Sequence, residues 1–283
     1  MSVDRRSFLL GSAAVLGTAA LGRTAEDKDP FGGFTVGIQS YTFRKFNLER
    51  ALKETKELGL ANAEFYRGHI PTDSKPEALK GILKLCGEYG VKPVAFGVEN
   101  FGKDHDKNKK LFDFAAALGA KFLSADPDMD SFDSLDKLVE EYKIGIAIHP
   151  HGPAGGGKMH RWRDAEMIMK TLKGHHEMIG TCLDTGHLIR AAQLEIKLDP
   201  VEQIKIMGAR NFGLHLKDHD NKRKTDVIFG KDGGVLNMEE VLKALKEVKF
   251  TGSLSIEYEA KANEPSEDVK ACVGVVKEAA KKV

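Results

Sequence analysis

From Thr35 onward, short apolar runs alternate with longer segments in which apolar positions recur every three or four residues. The first rhythm is that of buried strands, the second that of helices with one buried face. Thr35-Val36-Gly37-Ile38-Gln39-Ser40-Tyr41 reads as the opening strand. Leu48, Leu52, Thr55 and Leu58 follow at helical spacing, and Gly59 stands at a C-cap position. The same reading predicts strands over 62–66, 92–97, 121–125, 144–149, 178–184, 211–215 and 252–257. It predicts further helices over 75–89, 104–118, 131–142, 164–172, 200–207, 237–248 and 266–282. Gly90, Gly119 and Gly208 close three of them, and Pro200 occupies a first turn.

Eight nearly uniformly apolar strands, each followed by a helix, indicate a parallel sheet covered on both faces. An open doubly wound sheet and a closed barrel both satisfy that pattern. The count of eight favours the barrel. So does the position of the polar residues, which end separate strands instead of gathering at one switch point. His149 ends the fifth run, Asp184 the sixth, His215 the seventh and Glu257 the eighth. The expected fold is α/β, a single (β/α)8 TIM barrel over 35–283, with a polar leader over 26–34. Such a barrel takes about 250 residues, nearly the whole of this 283-residue chain.

Charge excludes one class of partner. The chain holds 43 Lys and Arg against 42 Asp and Glu, interspersed, with no basic stripe of the kind that nucleic acid requires. Cys86, Cys182 and Cys272 are too scattered for a disulfide framework or a zinc knuckle. Gly155-Gly156-Gly157-Lys158 is followed by Met159 where a phosphate loop needs Ser or Thr, so it reads as a flexible loop. Residues 1–25 stand apart. Asp4-Arg5-Arg6-Ser7-Phe8-Leu9-Leu10 and the small apolar run to Leu21 look like a twin-arginine export signal, with cleavage after Gly22 or Ala25. Asp4 stands where such signals usually carry Ser or Thr. The expected location is periplasmic, or membrane-tethered if the segment is retained. No stable membrane insertion is expected after its removal, which would change the net charge from +1 to −1.

On a parallel barrel the C-terminal strand ends meet at one rim. His149, Asp184, His215 and Glu257 would therefore converge. Any one of them alone reads equally well as a hydrogen-bonded loop residue; four on consecutive strand ends do not. Two imidazoles and two carboxylates suit Mn²⁺, Co²⁺, Zn²⁺ or Fe²⁺ better than Ca²⁺, and Mg²⁺ less well.

These residues carry a resemblance. Asp-x-Gly-His at Asp184 to His187, His-Leu-Lys-Asp at His215 to Asp218, Ser-Ile-Glu-Tyr-Glu around Glu257, the opening Gly37 to Tyr41, and Glu64 on the second strand are similar to the xylose isomerase-like TIM barrel superfamily. That superfamily includes sugar isomerases, ketose 3-epimerases, inosose dehydratases and endonuclease IV. The resemblance implies a divalent cation, Mn²⁺ foremost, held by Asp184, His215 and Glu257. His149 stands where the epimerases usually carry a glutamate. It also implies that His187 faces substrate or metal and that Lys217 lies near substrate oxygens.

The activity implied is a metal-dependent isomerase or epimerase of a sugar or related polyhydroxy carbonyl compound, working through an enediolate-type intermediate. Glu257 or Glu64 would take the proton, and His187 would return or donate one. Tyr41, His151 and Trp162 are further candidates for substrate contact, although packing at a helix start is the favoured reading of Trp162. The His149 departure puts a two-glutamate epimerase in doubt and opens an alternative, a lyase or dehydratase acting on a keto-sugar or keto-glycoside by β-elimination. A reading of another class is a non-catalytic exported sugar-binding barrel. The expected partner is a small carbohydrate, with a homo-oligomer left open. Export favours free sugars over sugar phosphates.

Overall fold

The computed structural model describes residues 29–283. Residues 1–25, expected from sequence to be an export signal, lie outside the described residues. The barrel strands are β1 (Thr35–Gln39), β2 (Asn62–Phe65), β3 (Lys92–Phe101), β4 (Phe122–Pro127), β5 (Gly145–Ile148), β6 (Ile179–Asp184), β7 (Asn211–Leu216) and β8 (Ser253–Ile256). Each pairs in parallel with its neighbours along the chain, and β8 returns to β1, closing a single (β/α)8 TIM barrel.

The helices are α1 (Leu48–Glu57), α2 (Pro76–Tyr89), α3 (His105–Leu118), α4 (Phe132–Tyr142), α5 (Ala165–Thr171), α6 (Thr185–Arg190), α7 (Pro200–Met207), α8 (Met238–Glu247) and α9 (Ser266–Ala280). The short α6 is additional to the eight that cover the barrel. Side-chain caps start several helices: Asn47 accepts from the Arg50 N–H, Asp104 from Lys107 and Asn237 from Glu240. No helix among the described residues is long and apolar enough to cross a membrane.

The strands prove less uniform than their sequences suggest. Their outward rows, with Ile38, Phe65, Phe96, Leu123, Ile146, Leu183, Leu214 and Leu254, are buried in the main core beneath the helices. Inside the barrel, Ala95, Phe122, Ala147 and Cys182 form a separate small cluster with Phe212. Above it comes a polar layer in which the hydroxyls of Ser124 on β4 and Ser255 on β8 donate to the Glu64 carboxylate on β2. The inner row thus combines Phe122 and Phe212 with small or polar side chains, which fill the narrow space at the axis.

Two segments read as loose are packed. In the described part of the leader, Asp29 accepts the N–H groups of Phe31 and Gly33, and Phe31 is buried in the core beneath the Lys277 ammonium. The Gly155–Gly157 turn joins a small antiparallel ribbon, Pro153–Ala154 against Lys158–Met159, and is not a free loop.

Candidate active site

The four strand ends converge. His149 Nε2 is 2.9 Å from His215 Nδ1 and 3.4 Å from Asp184 Oδ2. His215 Nδ1 is 3.1 Å from Glu257 Oε2 and 3.8 Å from Asp184 Oδ2. One donor atom from each of the four residues lies within 4.8 Å of every other, and all four side chains are buried. A cation about 2.1 Å from each of two donors holds them roughly 3.0 to 3.4 Å apart, so most of the measured separations suit a shared ion. The orphan atom points the same way. Asp184 Oδ2 is fully buried and has no hydrogen bond of proper geometry. These residues fit a divalent cation by donor type, spacing and unmet valence.

Each residue of the Asp-Thr-Gly-His motif has a separate task. Asp184 ends β6 and caps α6, its Oδ1 accepting the His187 N–H at 2.8 Å, which leaves Oδ2 for the cluster. Thr185 Oγ1 accepts the Lys217 N–H at 2.9 Å, and its hydroxyl donates to the Lys217 carbonyl at 2.6 Å, locking α6 to the end of β7. A Cβ on Gly186 would stand 2.6 Å from Lys217 Cγ, so glycine leaves room for the buried lysine stem. His187 Nδ1 accepts the Gly152 N–H at 3.0 Å. Neutral His187 therefore carries its proton on Nε2, the nitrogen 4.0 Å from Asp184 Oδ2.

Lys217 is the counter-charge. Its buried ammonium lies 3.1 Å from Asp184 Oδ2, 2.8 Å from Glu257 Oε2 and 2.7 Å from Glu259 Oε1. Burial acts to lower the Lys217 pKa, but these carboxylates outweigh it and hold it well above the usual lysine range. Burial acts to raise Asp184 and Glu257, and the Lys217 ammonium is the main charge that instead holds both carboxyls well below the carboxylate range. His187 is pushed down to about 3, chiefly by burial, against the attraction of Asp184. His151 is also lowered, by burial and then by His149. The site thus pairs ionised carboxylates and one ammonium with neutral imidazoles on its other side.

A cavity of about 380 Å³ opens on this cluster. Tyr41, His149, His151, His187, Lys217 and Glu257 all line it, as the sequence proposed. Gln39, Tyr66, Arg67, Arg190 and Glu259 line it as well. Tyr41 and Tyr66 meet edge to face at 5.2 Å and make one apolar wall. Gly97 on the neighbouring β3, with φ +155°, lines the cavity too; a Cβ there would meet Ser124 O at 2.3 Å.

The structure places two sequence candidates away from the cavity. Glu64 does not line the cavity. Its carboxylate is buried inside the barrel on Ser124 and Ser255, with Oε2 3.0 Å from His215 Nε2. Trp162 does not touch substrate space. It is fully buried, its indole N–H donates to Pro127 O at 2.9 Å, and its ring packs on Phe132. Sequence reasoning also passed over Glu259 and Arg190, for which faint signals existed. Glu259 continues the inward alternation two residues past Glu257, and Arg190 lies three residues past His187 on one face of α6.

The fold and site place the chain among known proteins. Solved structures of the same architecture include a putative uncharacterized protein from Parabacteroides distasonis, 26% identical, with a TM-score of 0.66 over 87% of this chain and 99% of that one. A D-psicose 3-epimerase determined in the presence of D-fructose is 15% identical, with a TM-score of 0.61 over 88% of this chain and 96% of its own. The probable 3-DHS dehydratase AsbF of Bacillus anthracis is 12% identical, with a TM-score of 0.65 over 86% and 98%. No curated protein matches the sequence. The family model described as xylose isomerase-like TIM barrel matches residues 52–278. With its barrel closed and its strand ends converging, the chain belongs to the xylose isomerase-like TIM barrel family.

Proposed function

We propose that the protein is a divalent-metal-dependent isomerase or epimerase of a sugar or related polyhydroxylated carbonyl compound. The observation that carries this reading is the convergence of His149, Asp184, His215 and Glu257 beneath an aromatic-walled cavity. Relatives in fold named as D-psicose 3-epimerase and L-ribulose 3-epimerase support the substrate class. The exported location, with the free sugars it favours, belongs to the same proposal.

When bound by these four residues, the cation supplies Lewis acidity toward a carbonyl and its neighbouring hydroxyl. The protein does the rest. The Glu257 carboxylate, kept ionised by Lys217, is the base that faces the cavity and takes the proton from the carbon beside the carbonyl. The Lys217 ammonium offers a fixed positive charge to the oxygen that becomes anionic. His187 donates from Nε2–H to a substrate oxygen, because Gly152 holds its Nδ1 as an acceptor. Tyr41 and Tyr66 cover the sugar's apolar face and keep water from the enediolate. Return of the proton to the adjacent carbon gives the isomer.

A second reading, elimination on a keto-sugar or keto-glycoside, draws on the asymmetry of the site. With Glu64 turned away, the strand-end carboxylates of the mouth lie on β6 and β8, while His149, His151 and His187 occupy another side. One carboxylate base facing imidazole donors suits loss of a β-oxygen as well as single-base isomerisation. Incubation of the Mn²⁺-loaded protein with free ketoses and keto-sugars in D₂O separates the two. Carbon-bound deuterium in a product of unchanged formula is the expected result; an unsaturated product would transfer the assignment to the lyase. Glu257→Gln should abolish exchange by a factor of ~10³ or more, as loss of a general base does. A wild-type protein that takes up no metal, with sugar binding unchanged in Glu257→Ala, would support the non-catalytic sugar-binding reading and overturn the enzyme.

A further inference from the structure

Glu64 is a charge that the proposed chemistry leaves without a use. It is 1% exposed, sits two layers inside the barrel, and comes from the second strand, opposite the strand ends that carry the donor set. Burying a carboxylate costs several kcal/mol unless partners offset it, roughly as for any buried ion. Its partners are few and directional. The Ser124 hydroxyl donates to Oε1 at 2.6 Å and the Ser255 hydroxyl to Oε2 at 3.1 Å. The third is His215, whose Nε2 stands 3.0 Å from Oε2.

The two faces of the His215 ring meet different groups. Nδ1 points into the cluster toward His149, Glu257 and Asp184. Nε2 points away from it and is buried, and the approach of Glu64 is that of an ion pair, not an aligned hydrogen bond. The other heteroatom grouped with this pair is the buried Cys182 sulfur, a weak hydrogen-bonding partner. Glu64 is therefore the anion available to Nε2. An imidazole whose one nitrogen faces a carboxylate keeps its proton there and presents a bare lone pair at the other.

We propose that Glu64 is a positioning residue. It fixes the His215 proton on Nε2, so that Nδ1 is presented as a strong donor toward a divalent cation. Ser124 and Ser255 hold the carboxylate beside that nitrogen. The proposal rests on the metal-binding reading above, and it assigns Glu64 a task other than proton abstraction from substrate. It also accounts for the position of Glu64 one residue before the end of β2. There the side chain falls short of the rim and reaches a strand on the far side of the barrel.

The test has two arms on the full chain. In the first, the metal-free protein is labelled with ¹⁵N-histidine, and His215 is assigned by comparison with His215→Gln. At a pH where His215 carries a single proton, the wild type should show it on Nε2, and Glu64→Gln should redistribute it toward Nδ1. A bare Nε2 in the wild type, or an unchanged distribution in Glu64→Gln, overturns the proposal. In the second arm, competition with a chromogenic chelator measures Zn²⁺ and Mn²⁺ affinity. Glu64→Gln should weaken binding roughly 10- to 100-fold. Ser124→Ala, a milder change that spares the charge, should weaken it less and in the same direction. A merely structural Glu64 would lower the melting temperature of Glu64→Gln and leave both affinity and proton position intact, which also overturns the proposal. A wild type that binds neither cation overturns the metal reading and this proposal together. Binding that survives unchanged in Glu64→Gln overturns this proposal alone.

Discussion

The strand ends of β5 to β8 and those of β1 to β4 close one mouth with different materials. On the second half, the polar atoms are aimed at a common point: His149, Asp184, His215, Lys217 and Glu257 meet within hydrogen-bonding range, and Asp184 Oδ2 stays unmatched. On the first half, the polar atoms are already engaged. Gln39 Oε1 accepts the Tyr41 N–H, Glu64 turns inward to two serines, and Asp126 turns outward to Arg161. β3 lines the cavity with Gly97 and Val98, and its buried Glu99 is paired with Arg67. One half is wall and floor, and the other carries chemistry. The difference shows that the informative quantity at a barrel rim is not polarity. It is buried polarity whose partners do not satisfy it locally.

The sharpest way to break this contrast is to remove one charge from the second half. Asp184→Ala leaves the Lys217 ammonium with fewer carboxylates and removes the cap of α6. In metal-free protein it should cost about 3–5 kcal/mol in urea unfolding, the usual penalty for breaking a buried ion pair. Gln39→Ala, on the first half, should cost about 1 kcal/mol, the worth of one hydrogen bond. Similar losses for both would mean that the two halves are energetically alike.

Lys217→Met asks whether the second half is built around an internal cation or an external one. Without the ammonium, Asp184, Glu257 and Glu259 face one another uncompensated. The metal-free variant should lose about 3 kcal/mol. Saturating Mn²⁺ should recover at least half of that, since a bound cation supplies the missing charge and stabilises the state it binds. Thermal melts with EDTA and with Mn²⁺ measure both. An equal deficit under the two conditions would mean that the lysine, and not a metal, is the cluster's permanent cation.

A smaller effect follows from the neutral imidazoles. His187 has a folded pKa of about 3 against roughly 6.5 in an unfolded chain. Between those values the unfolded state binds a proton that the folded state does not, so stability falls as pH is lowered through that window. The slope from this group reaches about 1.4 kcal/mol per pH unit. His151, also lowered, adds in the same direction. Asp184 and Glu257 are depressed carboxylates, so their contribution is present above about pH 4 and fades only below it. His215 is raised, so its contribution is fully present below about pH 6.5 and is lost as pH rises through its folded value. Between pH 6 and pH 5 the slope therefore comes from the lowered histidines, His187 and His151 together with His69 and His160, which burial also lowers. In metal-free protein, His187→Gln should lose about 1 kcal/mol less than the wild type across that interval. Parallel slopes would mean that His187 stays protonated in the folded state.

The barrel was legible because its cause is periodic: eight apolar runs, each followed by a helical stripe, leave few alternatives. The convergence of four strand ends followed from the closed sheet, since every parallel strand delivers its last residue to one rim. What sequence could not give was depth. Glu64 and His149 both lie near strand ends, yet one faces a floor of serines and the other the cavity. That distinction depends on barrel stagger, which is a property of the pairing and not of either strand. Nor could it show why Gly186 is glycine, because Lys217, which needs the space, lies on another strand. Lys217 itself extends the inward alternation of β7 two residues past His215, where the sequence reading ended the strand.

Trp162 supplies the weakest and most selective test of the contrast. As the only tryptophan, placed after the glycine run in the loop between β5 and α5, it is a candidate sugar contact by sequence. The structure instead turns the indole away from the mouth, onto Phe132 and the carbonyl of Pro127. Trp162→Phe keeps most of the apolar volume and leaves that carbonyl without its donor, so it should cost about 1 kcal/mol of stability. The KM for a turned-over sugar should not change, while Tyr66→Ala, in the wall of the cavity, should raise it several-fold with a smaller effect on stability. A KM that rises in Trp162→Phe at unchanged stability would bring the tryptophan back to the substrate. It would also show that the loop after β5 rearranges when the site is filled, so that the chemical half of the rim is completed only in the complex.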